Sequence, residues 1–378
     1  MKRKPFSLDA RSLLLGLVGG AGTALAVASY FSRRPERSLE QRLVNRALDR
    51  SYARIAAEGK IRLAPQHRYV IFSDHHKGNR NLADDFRFCE QTYLAALDYY
   101  AEHGYTLIIL GDAEELMEEQ VGDVMAAYEN VFRAEARFHP DCLIRIYGNH
   151  DIAWQVEREV KQAIDPFFPG IRYREGLIFE YAQGEQVLGE LLLVHGYQGS
   201  LDSDIFSFLA KSVLPYYRDF QIRTGLGTTS PSRDACLRSE VDNRLYRWVS
   251  HKKKLILLCG HTHRPVWSSK THLEKLTEEL YTLLRMPSAE RPSDYEARVA
   301  EKQREVERKQ AQYPPCTDII KTRPAYFNGG CCRYNDGDIT GTELENGTLR
   351  LIKWGQAGGS YARTVLEQNP LEELFFYL

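Results

Sequence analysis

The sequence predicts an α/β fold with a parallel sheet at its centre, and three observations lead to that prediction. Short apolar runs that read as buried strands alternate with helical segments between residues 68 and 147. This strand–helix–strand order implies parallel pairing through right-handed crossovers. A polar segment containing Asp, Asn or His follows the end of each run. The carboxyl ends of strands are where open α/β sheets bind their ligands.

Local patterns predict the individual elements. The first three strands are predicted at 68–74, 105–112 and 142–147. Helices are predicted at 84–104, about 118–138 and near 154–164. Two strands joined by a glycine-containing turn follow at 177–182 and 186–195. The last strands are predicted at 255–259, 325–334, 338–343 and 348–354, with Asn-Gly or Asp-Gly turns among them.

Composition limits the class of protein. The chain has 378 residues, enough for one large domain with insertions or for two smaller domains. An apolar fraction of 43% is ordinary for a globular protein, and a formal charge of −1 provides no basic field for nucleic acid. The seven cysteines are odd in number and include no CxxC spacing. They make a poor disulfide framework and favour a reducing compartment.

The N-terminal segment differs from the rest of the chain. Basic residues flank an uncharged stretch of 21 residues, 12–32. As a helix this stretch would be about 31 Å long, enough to cross a bilayer core of about 30 Å. We therefore predict a single-pass membrane anchor within 1–35, followed by a helical linker over 36–66. The alternative is a cleaved signal peptide, because Ala26-Val27-Ala28 resembles a cleavage site.

Five polar segments carry the functional prediction. They are Ser-Asp-His-His-Lys-Gly at 73–78, Gly-Asp-Ala-Glu-Glu at 111–115, Gly-Asn-His-Asp at 148–151, a lone His195, and Gly-His-Thr-His at 260–263. Each segment follows a predicted buried strand. Packing does not account for potential metal ligands at the ends of five separate strands, so the pattern indicates a binuclear metal site.

The donor types indicate which metals such a site would take. The set combines carboxylate oxygens, an amide oxygen and imidazole nitrogens, without thiolate: Asp74, Asp112, Asn149, His76, His195, His261 and His263. These donors favour two divalent ions, with Mn²⁺ first and Fe or Zn²⁺ as alternatives. Two ions about 3.5–4 Å apart can share a hydroxide and hold the attacking and leaving oxygens of an in-line displacement at phosphorus.

The five segments resemble the motifs of the calcineurin-like metallophosphoesterase superfamily, which are DxH, GDxx(D/E), GNH(D/E), a lone His and GHxH. The similarity spans about residues 68–334. The paired His75-His76, followed by Lys77-Gly78, and the run Gly-Asp-Ala-Glu-Glu-Leu look like a bacterial branch related to UDP-2,3-diacylglucosamine hydrolase. The resemblance implies a sandwich of two facing mixed sheets flanked by helices.

The resemblance also implies a role for each matching residue. The first metal would be held by Asp74, His76, Asp112 and His263, and the second by Asp112, Asn149, His195 and His261. His150 would be the general acid, oriented by Asp151, and Glu115 would support a ligand from behind. Lys77 and Arg80 read either as phosphate-binding residues or as solvated loop charges.

These observations predict a metallophosphoesterase domain over 67–378, with helical insertions at about 200–250 and 270–313. It would hydrolyse a phosphomonoester, phosphodiester or pyrophosphate bond through a hydroxide shared by two metals. Aromatic and basic residues within 200–250, together with the anchor, favour a lipid or another phosphorylated small molecule as substrate. The alternatives are a protein or nucleotide phosphatase, or a nuclease of the same superfamily. The domain is expected in the cytoplasm, or exported if the signal is cleaved.

Overall fold

The computed structural model describes residues 37–64, 66–155, 157–199, 235–312 and 321–378. The chain divides into two units, Met1–Leu43 and Val44–Leu378, and every predicted site residue lies in the second. Across the described ranges, no helix combines the length and the apolar character needed to cross a membrane. The predicted anchor at 12–32 and the aromatic part of the first insertion lie outside the described residues.

The strands form two seven-stranded sheets. In chain order they are β1 Ile61–Arg62, β2 Arg68–Phe72, β3 Thr106–Leu110, β4 Leu143–Ile146, β5 Tyr173–Arg174, β6 Gly176–Gln183, β7 Gln186–Val194, β8 Leu255–Cys259, β9 Pro265–Trp267, β10 Lys270–Thr271, β11 Tyr326–Gly329, β12 Ile339–Glu345, β13 Thr348–Ala357 and β14 Ser360–Pro370. Sheet 1 has the order β14-β13-β12-β2-β3-β4-β5, and sheet 2 has the order β1-β6-β7-β8-β11-β9-β10.

Both sheets are mixed. In sheet 1, β2, β3, β4 and β5 pair in parallel, as predicted for the first half of the chain, whereas β12 pairs with β2 in antiparallel fashion. In sheet 2, β7, β8 and β11 are parallel, β6 is antiparallel to β7 but parallel to β1, and β9 is antiparallel to β11 and β10. The parallel strands of both sheets supply the segments that carry the predicted ligands.

Helices connect the strands. They are α1 Arg37–Glu58, α2 Phe86–Glu102, α3 Val121–Ala127, α4 Glu129–Ala136, α5 Glu157–Ile164, α6 Ala235–Ser250, α7 His272–Leu284, α8 Tyr295–Gln312 and α9 Leu371–Phe376. Short 3₁₀ turns occur at Ile152–Gln155 and Ser288–Glu290. The single helix predicted over 118–138 is in fact two, because the backbone at Tyr128 leaves the helical range.

The alternation of side chains along β2 shows how the helices and the two sheets are layered. Tyr69 and Ile71 belong to a core that contains apolar side chains from both sheets. Val70 and Phe72 point the other way, into a second core with residues of α2, α3 and α4. Since successive side chains of a strand face opposite sides of a sheet, helices cover one face of sheet 1 and sheet 2 covers the other. The predicted arrangement of two facing mixed sheets with flanking helices is confirmed.

Two features of the chain were not anticipated. The C-terminal strand β14 and helix α9 follow the last predicted strand, and β14 lies at the edge of sheet 1 with most of its side chains at least partly exposed. Cys236 is disulfide-bonded, against the expectation from cysteine spacing. Among the described residues, the cysteines with free thiols are Cys89, Cys142, Cys259, Cys331 and Cys332, and Cys259 lies in the core.

Candidate metal centre

The predicted ligands follow the carboxyl ends of five parallel or neighbouring strands. Asp74 and His76 follow β2, Asp112 follows β3, and Asn149 and His150 follow β4. His195 follows β7, and His261 and His263 follow β8. Each of these residues lies within a few residues of the end of its strand. Because these strands belong to two facing sheets, their ends meet at one rim of the sandwich. The fold therefore brings together side chains that are up to about half the chain apart in sequence.

Three groups of side chains have ligand atoms that lie within 4.8 Å of one another. They are Asp74, His76 and His263; His76, Asp112 and His150; and Asp112, His195 and His261. Asp112 belongs to two groups, as expected of a carboxylate shared between two ions. The grouping contains every predicted ligand except Asn149, which offers an amide oxygen.

Interatomic distances show how closely the groups converge. Nε2 of His263 lies 3.1 Å from Oδ1 of Asp74, and it lies 3.0 Å from Nε2 of His76. On the other side, Nε2 of His195 lies 2.9 Å from Oδ2 of Asp112. Nε2 of His76 is 3.6 Å from that same Oδ2 atom. The contact between the two imidazole nitrogens brings together two potential metal donors.

Two buried donor atoms test whether metal ions fit this set. The amide oxygen of Asn149 and Nε2 of His261 are buried and have no hydrogen-bond partner among the described residues. Leaving a buried polar atom unpaired costs about 1–3 kcal/mol. Both atoms belong to the donor types that divalent ions accept, so a bound cation would satisfy them. The residues present therefore fit a metal site.

Hydrogen bonds behind the ligands fix which ring nitrogen faces the site. Nδ1 of His195 lies 2.8 Å from the carbonyl oxygen of Leu110, which can only accept. Nδ1 of His195 must therefore carry a proton, so Nε2 is the ring nitrogen that faces Asp112 and the site. Nδ1 of His76 lies 2.9 Å from Oε2 of Glu115, with the same result. Such partners orient a metal-binding imidazole and raise its basicity.

Glu115 also contacts His150. Its Oε1 atom lies 2.7 Å from Nδ1 of His150, so one carboxylate holds both rings. Asp151, which the resemblance placed behind His150, instead accepts hydrogen bonds from the backbone N–H groups of Gly148 and Ala113. Asp151 thus joins two ligand-bearing loops to each other, and the ring of His150 is held by Glu115. The difference arises because both oxygens of the buried Asp151 are used by main-chain donors.

The backbone at the ligands is unusual. Asp74, His76, Asp112, His261 and His263 all have positive φ, between 48° and 70°. Side-chain-bearing residues rarely adopt this conformation, which costs of order 1–3 kcal/mol each. Strand alternation therefore does not place Asp74 and His76 on one side, because β2 already ends at Phe72. The left-handed backbone conformation at these residues directs their side chains into the site.

The motif glycines make room for the ligands. A Cβ atom on Gly111 would lie 2.5 Å from the ring of His195, and one on Gly148 would lie 2.1 Å from Oδ1 of Asp112. A Cβ atom on Gly260 would lie 2.4 Å from Oδ2 of Asp74. Each glycine thus lets its own segment lie directly against a carboxylate or imidazole that another segment supplies.

Four buried charges lie beside the site. Nζ of Lys77 is 2.8 Å from Oε1 of Glu135 and 3.3 Å from Oε1 of Glu114. Arg145 pairs with the same two carboxylates, and Trp154 donates to Glu114. All four charged side chains are fully buried. Neither reading of Lys77 is therefore correct: it contacts neither solvent nor the site opening, and it belongs to a neutral ion-pair network.

Arg80 differs from Lys77 because its side chain is 41% exposed, which agrees with the interpretation as a solvated loop charge. Its guanidinium makes two hydrogen bonds with Glu90, of 2.7 and 2.8 Å, and a third with the carbonyl oxygen of Ala127. It also lies over the ring of Tyr128. Its charge is therefore paired with Glu90 and also partly solvated.

Burial and neighbouring charges raise the pKa of some groups in the site and lower the pKa of others. Burial opposes the charged form of His150, but Glu115 and Asp112 outweigh it and raise the pKa of His150 to about 10. For His261, burial and then the neighbouring His195 lower the pKa to about 3. Burial would raise the pKa of Asp112, yet His195 and His150 hold it well below its ordinary value. His150 thus retains a proton at neutral pH, while His261 is a neutral imidazole.

The chain was compared with protein-family models, curated proteins and solved structures. The model of the calcineurin-like phosphoesterase family matches residues 67–265. No curated protein matches the chain. Among solved structures, Vacuolar Protein Sorting 29 from Cryptosporidium parvum is 10% identical, with a TM-score of 0.29, covering 80% of this chain and 98% of that one. A single mutant of Vps29 from Entamoeba histolytica is 11% identical, with a TM-score of 0.27, covering 79% and 99%.

Structural similarity at these TM-scores supports no conclusion, so the assignment depends on the family match and the site. The matched range begins just before β2, ends just after the Gly-His-Thr-His segment, and includes more than half of the chain. It contains all five motif segments and every predicted ligand. The chain belongs to the calcineurin-like phosphoesterase family, a family of hydrolases that act on phosphoric ester bonds.

Proposed function

We propose that this protein is a metal-dependent hydrolase of a phosphomonoester, phosphodiester or pyrophosphate bond, with two divalent ions and a lipid-linked substrate. The observation that carries the proposal is the convergence of ligand atoms from five strand ends around the shared carboxylate of Asp112. The unpaired donor atoms of Asn149 and His261 at the same rim support it further.

The ligand sets are those that the family resemblance implies, and the groups of adjacent atoms support them for every ligand except Asn149. Asp74, His76 and His263 would hold one ion, with Asp112 shared, and Asn149, His195 and His261 would hold the other. Mn²⁺ is the ion we favour, with Fe and Zn²⁺ as alternatives, because the donors are oxygens and imidazole nitrogens. When bound, the pair of ions supplies Lewis acidity and offsets the charge that develops on phosphoryl oxygens.

His150 would donate the proton to the leaving oxygen. Its side chain is partly exposed, whereas His76 beside it is buried. Because Glu115 holds Nδ1 of His150, Nε2 is the atom that can face a leaving oxygen. A positioned acid of this kind typically contributes about 10²–10⁴-fold to the rate.

Arg333 would contact the phosphate. The preceding residue, Cys332, donates a backbone hydrogen bond to the carbonyl oxygen of Asp74, which keeps Arg333 beside the ligands. Asp85 fixes the guanidinium from outside at 2.6 Å, and the charge of Arg333 acts on His76 and Glu115. A fixed guanidinium suits phosphate oxygens. Arg333→Met should therefore raise KM more than it lowers kcat, and an unchanged KM would exclude this role.

Two substitutions test catalysis. Asp112→Ala should abolish turnover of p-nitrophenyl phosphate and reduce bound Mn²⁺. His150→Ala should keep its Mn²⁺ but turn over about 10²–10⁴-fold more slowly. Circular dichroism of each variant controls for folding. Less than one equivalent of Mn²⁺ in the loaded wild-type protein, with no hydrolysis of any activated phosphoester, would exclude the proposed function.

Exposed apolar side chains near the site and the uncharged N-terminal segment support a lipid-linked substrate. Leu82 is 88% exposed and Phe88 48% exposed, in and just after the loop that follows Asp74 and His76, and the guanidinium of Arg87 lies over the ring of Phe88. Apolar side chains beside cations suit acyl chains next to phosphate. The uncharged segment 12–32 would hold such a site near a bilayer, with the domain in the cytoplasm. The resemblance to UDP-2,3-diacylglucosamine hydrolase points to the same substrate class.

A substrate panel tests this assignment. Phosphomonoesters, diesters and pyrophosphates should be compared with and without acyl chains. Deletion of residues 203–230 should impair acylated substrates and spare p-nitrophenyl phosphate. Equal losses on both, or a preference of the intact protein for soluble nucleotides, would favour the nucleotide-phosphatase alternative. For location, the full-length protein should remain with membranes after a carbonate wash, whereas a mature N-terminus at Ser29 would identify a cleaved signal.

A further inference from the structure

The helix α6 belongs to the body of the protein. Residues 235–250 were predicted as part of a helical insertion at about 200–250, but Leu245, Trp248 and Val249 lie buried in the core between the sheets. The same helix carries Asp242, whose side chain is fully buried. A buried carboxylate is costly unless charged or polar partners surround it, so its partners indicate its purpose.

Asp242 has four donors around its two oxygens. Oδ1 accepts from the hydroxyl of Thr262 at 3.0 Å and from the hydroxyl of Tyr326 at 2.7 Å. Oδ2 accepts from Nε and Nη2 of Arg264, at 3.0 and 2.6 Å. Both acceptor atoms are therefore satisfied, and two of the three donating residues belong to the loop after β8.

Those donors flank the histidines of the Gly-His-Thr-His segment. Thr262 lies between His261 and His263, and Arg264 follows directly. Both histidines have positive φ, 70° and 53°, so this loop is held in a conformation that it would not favour alone. Asn328 adds a second support, with its amide nitrogen 2.5 Å from the carbonyl oxygen of Gly260 and 3.1 Å from the hydroxyl of Thr262.

We propose that Asp242 is a positioning residue of this metal centre, fixing the Gly-His-Thr-His loop through Thr262 and Arg264 so that His261 and His263 each reach a different ion. The inference rests on the proposed function, since it concerns the metal affinity of the same site. Asp242 does not itself face the ligands; it acts on the strained turn that carries them. Helix α6 thereby couples the core between the sheets to both ion positions.

The described chain contains a matched control for a purely structural role. Glu343 on β12 is also fully buried. It accepts two hydrogen bonds from the guanidinium of Arg363. It accepts a third, of 2.6 Å, from the hydroxyl of Tyr100. Its hydrogen-bond and ion-pair partners include none of the predicted ligands. Glu343→Gln therefore removes a comparable buried carboxylate without touching the Gly-His-Thr-His loop.

The experiment measures Mn²⁺ binding to the full chain by competition with a fluorescent chelator. Asp242→Asn should weaken Mn²⁺ binding by about 10–100-fold, the usual effect of losing a group that orients ligands from behind. Glu343→Gln should lower the melting temperature of the metal-free protein similarly, yet bind Mn²⁺ as the wild type does. Unchanged Mn²⁺ affinity in Asp242→Asn, or equal losses in both variants, would overturn the inference.

A second pair of variants, both at Thr262, tests the inference if Asp242→Asn does not fold. Thr262→Val removes the hydroxyl that Asp242 holds, and Thr262→Ser keeps it. We expect weaker Mn²⁺ binding in the valine variant and restored binding in the serine variant; equal binding in the two would refute the role. Failure of the wild type to bind Mn²⁺ would instead refute the proposed function, so the two failures are distinguishable.

Discussion

Gly148→Ala should inactivate the enzyme by a purely steric route. The new Cβ atom would lie 2.1 Å from Oδ1 of Asp112 and 2.6 Å from its backbone nitrogen. Real Cβ atoms essentially never approach closer than 3.0 Å, so the two loops must separate by about 0.9 Å. A misplacement of about 1 Å near the reacting atoms can cost roughly 10²-fold in rate. We therefore expect kcat/KM to fall at least about 100-fold.

The assay is hydrolysis of p-nitrophenyl phosphate with Mn²⁺ added, together with the Mn²⁺ content of the purified variant. Gly122→Ala is the matched control, since a Cβ atom there meets nothing within 4 Å and Gly122 lies in α3. That change should leave activity intact and stabilise the protein by roughly 0.5–1 kcal/mol. A Gly148→Ala enzyme with more than a tenth of wild-type activity would show that the loops can move apart, and the steric reasoning would fail.

Two further predictions concern stability. Glu135→Gln leaves the buried charges of Lys77 and Arg145 with one anion between them, and it should lower the free energy of unfolding by about 3–5 kcal/mol in urea titrations; a loss below about 1 kcal/mol would contradict the network's role. Burial opposes ionisation of Glu274, but Lys321 and the Thr271 backbone lower its pKa below 4.5. Its contribution is therefore present above pH 4.5 and lost as pH falls through the lower folded-state pKa. The stability difference between wild type and Glu274→Gln should be largest at neutral pH and shrink in acid, and a constant difference would refute the assignment.

Hydrophobic pattern was enough to locate the strands that build the site. β2, β3 and β8 lie where their apolar runs predicted, because a strand buried on both faces reads as a continuous apolar stretch. β14 was missed because it is an edge strand with few buried side chains, and its sequence resembles a surface loop. The break between α3 and α4 was missed because Tyr128 fits a helical pattern, while its hydroxyl bonds Asp84.

The ligands were identifiable from sequence because Asp, Asn and His stand in fixed positions after strands. The residues that hold these ligands in position could not be identified from the sequence. Asp242 is about twenty residues from the loop that it holds, in a helix whose spacing looks ordinary, and only the fold shows that it lies against Thr262. Glu115 was expected behind one ligand, yet it spans His76 and His150 because the two rings lie 4.5 Å apart. Contacts between distant segments leave no periodic signal in a single sequence.

The neutral cluster of Lys77, Glu114, Glu135 and Arg145 has a consequence for protein engineering. Lys77 and Glu114 lie within motif segments, whereas Glu135 and Arg145 come from α4 and β4. Grafting the Asp-His-His-Lys segment alone into another scaffold would therefore import an uncompensated ammonium group into an apolar interior. The smallest transplantable piece of this catalytic rim runs from residue 73 to residue 151, so that all four charges travel together.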